Sequence, residues 1–170
     1  MGLNSPASWS PIEYATPMLL TRPAEWSRRR FPSDKPEHGY PEGMLRLGLP
    51  VIGVSDLPRA VEFWTAALNL IADDEWASDG WRTLVGADGT GRVLGLMAST
   101  SPIEPYPRIH LDLFVDTAAE QEAEVSRLKE LGARDVDWDR YPPNPDFVVL
   151  ADPDGNRFCV VDLSSAPSGG

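Results

Sequence analysis

Hydrophobic and polar positions repeat along this chain in a way that predicts two copies of one unit. Leu47 to Val54 is an apolar run of strand length, and Ser55 or Asp56 then caps a helix with Leu57, Val61, Trp64 and Leu68 at i, i+4, i+7 and i+11. Those four positions define one buried helical stripe. Asn69 stands where the helix must end in a left-handed residue, and strands follow at Ile71–Trp76, Trp81–Gly86 and Arg92–Ala98. The last two are joined by a glycine-rich turn at Asp88–Gly91. The first unit therefore reads βαβββ.

A second unit begins at Arg108–Val115, where Ile109, Leu111 and Leu113 alternate with His110, Asp112 and Phe114. A helix from about Ala118 to Leu131, ended by Gly132, leads to strands at Arg134–Trp138, Phe147–Ala151 and Arg157–Leu163. Asp152-Pro-Asp-Gly-Asn156 is the turn before the last strand. It is not a calcium loop, because it lacks the alternating oxygen ligands and terminal glutamate of that pattern. Superposing Val54-Ser55-Asp56 on Val115-Asp116-Thr117 sets Leu49 opposite His110. The predicted fold is α+β, with two βαβββ modules forming a cup-shaped mixed sheet around a common concave, partly apolar space. A ligand would sit there.

Composition divides the chain further. Residues 1–46 hold six basic and five acidic side chains, seven of the 17 prolines and five of the 15 aromatics, so the acidic surplus belongs to the domain downstream. That leading segment is read as a Pro- and aromatic-rich extension, irregular except for a short helix around Ala24–Arg30. Its aromatics are too many to leave in water, so it is expected to pack on the domain or on a neighbouring subunit. The domain is placed at 47–163, with modules at about 47–98 and 108–163 and a flexible tail at 164–170.

With 170 residues and a single cysteine, Cys159, the chain suits one core without disulfides. The absence of a secretion signal points to the cytoplasm. No apolar run approaches the length of a membrane helix, and a net charge of −11 disfavours nucleic acid as a partner.

Three segments carry a family resemblance. They are Val54-Ser-Asp-Leu-Pro-Arg-Ala-Val-Glu-Phe-Trp64 with Ala67-Leu-Asn-Leu70, then Arg108-Ile-His-Leu-Asp-Leu-Phe-Val-Asp116, then Phe147-Val-Val-Leu-Ala-Asp-Pro-Asp-Gly-Asn-Arg-Phe-Cys-Val-Val161. Together they resemble the vicinal oxygen chelate superfamily, which includes glyoxalase I, bleomycin-resistance proteins and extradiol dioxygenases. The resemblance implies a cup-shaped sheet, frequent dimers, and in many members a divalent metal held by His, Gln or Glu on the first and last strands of each module. His110 occupies one such position, but its counterpart is Leu49, and Cys159 stands where metal-dependent relatives carry glutamate. With His38 and His110 the only histidines, no metal site and no cofactor are expected.

The candidate chemistry is then metal-independent. His110 and Asp112, two apart on a strand, share a face with Phe114, and a histidine beside a carboxylate in a partly dry cavity can shuttle protons. The competing reading makes both residues hydrogen-bonded braces, with Arg46, Arg82 or Arg157 neutralising Asp112. Cys159 is placed as a cavity wall rather than a nucleophile. Trp81, Trp138 and Tyr141, with Phe114, are the candidate aromatic grips for a small organic ligand. The expected function is a glyoxalase-like protein, a homodimer by resemblance, binding a small molecule with acid–base chemistry at His110 and Asp112. Its alternatives are a non-catalytic drug-binding resistance protein and a metal-dependent lyase, isomerase or dioxygenase.

Overall fold

The computed structural model of the protein describes residues 45, 47–89 and 91–165. The leading extension, apart from Leu45, the helix expected at Ala24–Arg30 and the end of the tail lie outside these residues, as do Arg46 and His38. Two βαβββ units follow one another. The first contains β1 (Val51–Val54), α1 (Leu57–Leu68), β2 (Leu70–Ser78), β3 (Trp81–Gly86) and β4 (Arg92–Ala98). The second contains β5 (Leu111–Val115), α2 (Ala118–Glu130), β6 (Arg134–Asp135), β7 (Phe147–Ala151) and β8 (Arg157–Asp162), and a 3-10 turn, Leu163–Ser165, comes after it.

Each unit makes a four-stranded mixed sheet, ordered β1-β4-β3-β2 and β5-β8-β7-β6. In both, the first strand pairs parallel to the last and the remaining pairs are antiparallel. The fold class is therefore α+β with duplicated modules, as the pattern predicts.

Local chemistry sets the element ends. Asp56 caps α1 by accepting from the Arg59 amide at 3.1 Å, and Asn69 ends it at φ 52°. Thr117 and Glu120 form a capping box on α2. Two first strands are shorter than the sequence suggests. Pro50 has no N–H to extend a ladder, so β1 starts at Val51. Its carbonyl still accepts from the Gly95 amide at 2.9 Å. β5 starts at Leu111 rather than Arg108, because its parallel partner β8 itself begins only at Arg157. β6 is just two residues long, and Trp138 falls outside it.

The buried face of α1 is also displaced by one position from the predicted stripe. Leu57, Ala60, Phe63, Trp64 and Ala67 are buried, while Val61 and Leu68 are only partly covered. Phe63 and Trp64 meet Phe158 of the second unit at centroid distances of 6.3 and 5.4 Å, so both units contribute to one core.

Polar bonds join the units as well. Arg127 of α2 donates to the carbonyls of Ala66 and Ala67 at 3.1 and 2.8 Å, satisfying the open C-terminal end of α1. The turn between β7 and β8 does more than reverse the chain. Oδ1 of Asp154 accepts from the Ser55 amide (2.8 Å), the Ser55 hydroxyl (2.6 Å), the Asp56 amide (3.1 Å) and the Arg59 guanidinium (2.8 Å). Fully buried Asp152 accepts from Trp64 Nε1 at 3.2 Å and from the Asn156 amide and side chain at 2.8 and 3.0 Å.

Candidate functional site

Alternation along β5 turns Leu111, Leu113 and Val115 toward the core and leaves Asp112 and Phe114 on the opposite, exposed face. On neighbouring β8, Phe158 and Val160 join the core, so Arg157 and Cys159 share the face of Asp112. The register pairs Asp112 directly with Cys159. His110 lies just before the strand, with its Nε2 3.1 Å from Oδ1 of Asp112.

Burial, followed by the negative charge of neighbouring Asp112 and its capacity to accept from the thiol, pushes the Cys159 pKa up to about 11. It is a thiol at neutral pH. A nucleophilic role would need a stabilising cation, so the cavity-wall placement suits its chemistry better.

A cavity of about 380 Å³ opens on this face. Its apolar wall comes from β7 and β8, through Phe147, Val149 and Cys159. Its polar wall comes largely from irregular chain: Arg108 and His110 from the segment joining the units, Trp138 and Arg140 from the segment after β6, and Arg157 from β8. Tyr106 organises that wall. Its hydroxyl donates to Asp139 at 2.9 Å, and its ring lies 5.4 Å from Trp138. The Arg140 guanidinium sits 3.8 Å from the same ring centroid, while Arg157 lies 5.5 Å from Tyr106 and 5.3 Å from Trp138.

Of the residues proposed from sequence, His110, Trp138 and Cys159 line this cavity, and Asp112 stands behind them as a shared partner of two. The other three aromatics are elsewhere. Trp81 lies on the first sheet, where its ring covers Gly95 so closely that a Cβ there would come within 2.7 Å; its indole donates to Thr83 at 3.0 Å. Tyr141 receives the Val149 amide at 2.9 Å and packs on Phe147. Phe114 is 63% exposed and borders a separate groove near the end of α1. Of the arginines expected to neutralise Asp112, Arg46 lies outside the described residues, Arg82 bonds the carbonyls of Ser78 and Trp81, and Arg157 lies over rings; His110 meets the carboxylate.

Tyr106, Arg108 and Arg140 carry no signal in the sequence that marks them for the site, since irregular segments have no periodicity. Arg157 had a usable signal, because it lies two residues before Cys159 and therefore on the same strand face.

The divalent metal implied by the resemblance can be tested against these donors. Among the described residues, His110, Asp112 and Cys159 each bring a ligand atom within 4.8 Å of the others. All three come from one unit. Their equivalents in the first unit are Leu49, Val51 and Gly95, which offer no side-chain donor, and the Trp81 ring covers the last of them. Asp112 already faces the His110 imidazole at 3.1 Å, and the Cys159 thiol beside it is held protonated. The two-sided metal shell of the superfamily does not fit these residues.

Comparison with known proteins agrees with the fold. Three solved structures illustrate it. A glyoxalase/bleomycin resistance protein/dioxygenase family enzyme from Burkholderia phytofirmans PsJN is 20% identical, with a TM-score of 0.53 over 68% of this chain and 97% of that one. A glyoxalase-related enzyme from Fulvimarina pelagi is 17% identical, with a TM-score of 0.55 over 75% and 94% of the two chains. The third is a variant of the fosfomycin resistance protein FosX from Listeria monocytogenes, in complex with Mn(II) and dihydroxypropylphosphonic acid. It is 16% identical, with a TM-score of 0.53 over 69% and 90%. No curated protein matches the sequence. Residues 51–161 match a family model described as a glyoxalase-like domain, and the chain therefore belongs to that family.

Proposed function

We propose that this protein binds a small organic molecule in the cavity beside β5, β7 and β8, and that His110 exchanges a proton with it while Asp112 holds the imidazole in place. The observation that carries the reading is the 3.1 Å contact between His110 Nε2 and Asp112 at a cavity of about 380 Å³. Asp112 engages one ring nitrogen, which leaves Nδ1 available to the ligand. That volume lies in the usual range for small-molecule sites, and its mixture of aromatic surface with a few polar groups is what such sites require.

The acid–base step needs no metal and no nucleophilic thiol, in keeping with a one-sided donor set and a thiol pKa of about 11. A cytoplasmic protein forming a homodimer through the same fold completes the proposal. Among the described residues, no helix is long and apolar enough to cross a membrane.

The test begins with mass spectrometry of small molecules released when the purified protein is denatured. With that compound in hand, His110→Ala is expected to retain affinity within about threefold while turnover falls by at least about a hundredfold. Unchanged turnover would leave a pure binding protein, in which the imidazole is dispensable. Turnover that requires stoichiometric metal, restored after stripping, would replace the metal-free reading altogether.

A further inference from the structure

The cavity is charged against the rest of the molecule. The chain carries 26 acidic and 15 basic side chains, yet Arg108, Arg140 and Arg157 line this one hollow, beside His110. Among the described residues, the ion pairs are Arg59–Asp154, His110–Asp112, Arg127–Glu124 and Lys129–Asp135. None uses the three cavity arginines. The nearest carboxylates are already engaged, Asp139 by the Tyr106 hydroxyl and Asp112 by His110, so three guanidinium groups gather here with no direct ion pair, an arrangement opposed by their mutual repulsion.

Two buried donors on the same wall also lack an acceptor. Nη1 of Arg157 and Nε1 of Trp138 have no hydrogen-bond partner among the described residues. Buried polar groups are nearly always paired, so an orphaned pair on a cavity wall asks for an oxygen supplied from outside the chain. The rings of Tyr106 and Trp138 meet the guanidinium groups of Arg140 and Arg157 at 3.8 to 5.5 Å, holding them by contacts that consume no N–H. The donor edge of exposed Arg140 remains available for a forked bond to an oxyanion, whereas the buried Nη1 of Arg157 becomes reachable only when a ligand moves the side chains over it.

We infer that the cavity selects a small organic anion, whose carboxylate or phosphate-type head meets Arg157, Arg140 and Trp138 and whose apolar, planar body lies against Phe147 and Val149. This deepens the proposed small-molecule reading and rests on it. A neutral ligand of the same shape would leave both buried donors unpaired.

The experiment compares benzoate and phenyl phosphate with neutral benzamide on the full-length protein, by isothermal titration calorimetry at low salt. The anions are expected to bind at least about tenfold more tightly than benzamide. In Arg157→Gln and in the more exposed Arg140→Gln that preference should fall below about threefold with benzamide affinity unchanged, while Lys129→Gln retains it in full. Equal affinity for benzoate and benzamide, or a preference that survives in both arginine variants, overturns the anion inference and leaves the small-molecule cavity standing. Failure of all three probes overturns the inference as well. The broader reading falls with it when mass spectrometry finds no released occupant either.

Discussion

Cys159 shows how a single position can be read wrongly from its identity alone. A lone cysteine near a histidine invites a nucleophile, but this thiol is buried beside a carboxylate, and its pKa of about 11 keeps it protonated. Compared with an ordinary thiol it carries about a hundredfold less thiolate, so alkylation by iodoacetamide at pH 8 should be slower than that of a free thiol by at least that factor. Asp112→Asn removes the carboxylate's share of the shift and should accelerate the reaction severalfold, as followed by mass spectrometry. Equal rates for cysteine in the protein and in a short peptide would contradict the placement. His110 and Asp112 were legible in sequence because i, i+2 spacing on a strand is a strong constraint on direction. Tyr106 and Arg140 were not, since each reaches the cavity from irregular chain where only tertiary contacts decide direction. Trp81 and Tyr141 do not line this cavity, and each meets a partner close by, Thr83 for the indole N–H and the Val149 amide for the phenol oxygen.

At the scale of elements, periodicity located both helices and most strands, and it failed where pairing rather than pattern sets the end. Leu47 and Ile109 continue the apolar alternation of their strands, yet they are 92% and 88% exposed because β1 and β5 have not begun. The shortened β5 matters to the site: with the chain leaving the ladder before Leu111, Tyr106, Arg108 and His110 are released to form the cavity wall. The β7–β8 turn is the element whose role exceeds its sequence signature. Asp-Pro-Asp-Gly-Asn announces a reversal, and Gly155 supplies the required φ of 94°, but nothing local reveals that Asp154 will accept four hydrogen bonds from the start of α1. Its side chain is 2% exposed, so deleting the acceptor strands several donors in the interior. Asp154→Ala should destabilise the protein by about 2–4 kcal/mol in urea unfolding, well beyond a typical surface substitution. A loss under about 0.5 kcal/mol would mean that water replaces the carboxylate without penalty.

Across the whole molecule, those contacts make the joining of the two units sensitive to acid, and the direction follows from the carboxylates involved. Burial pushes Asp154 upward, but hydrogen bonds from Ser55 and Arg59 and from the amides of Ser55 and Asp56 outweigh it and hold its pKa below the ordinary carboxylate value. Its ionised form is therefore favoured in the folded state, and the stability this contributes is present above the unfolded value of about 3.9 and lost as pH falls through the lower folded value. Asp152 has the opposite sign. Burial comes first there and wins over the bonds from Asn156 and Trp64, so its pKa is raised and acidification relieves a charge held at a cost. The two residues, joined through one turn, partly compensate in the wild type. Asp154→Asn keeps the shape and removes the depressed carboxyl, so subtracting its unfolding free energy from that of the wild type gives the Asp154 contribution net of its repulsion with Asp152, while more distant titrating groups cancel to first order. That difference should favour the wild type and stay level from pH 7 to about 5, then shrink steadily below about 4. Urea midpoints measured in steps from pH 7 to about 3 provide the check. A difference that holds constant across that whole range would mean that the bonds from Ser55, Asp56 and Arg59 do not prefer a charged acceptor, and that the clasp between the units is held by shape alone.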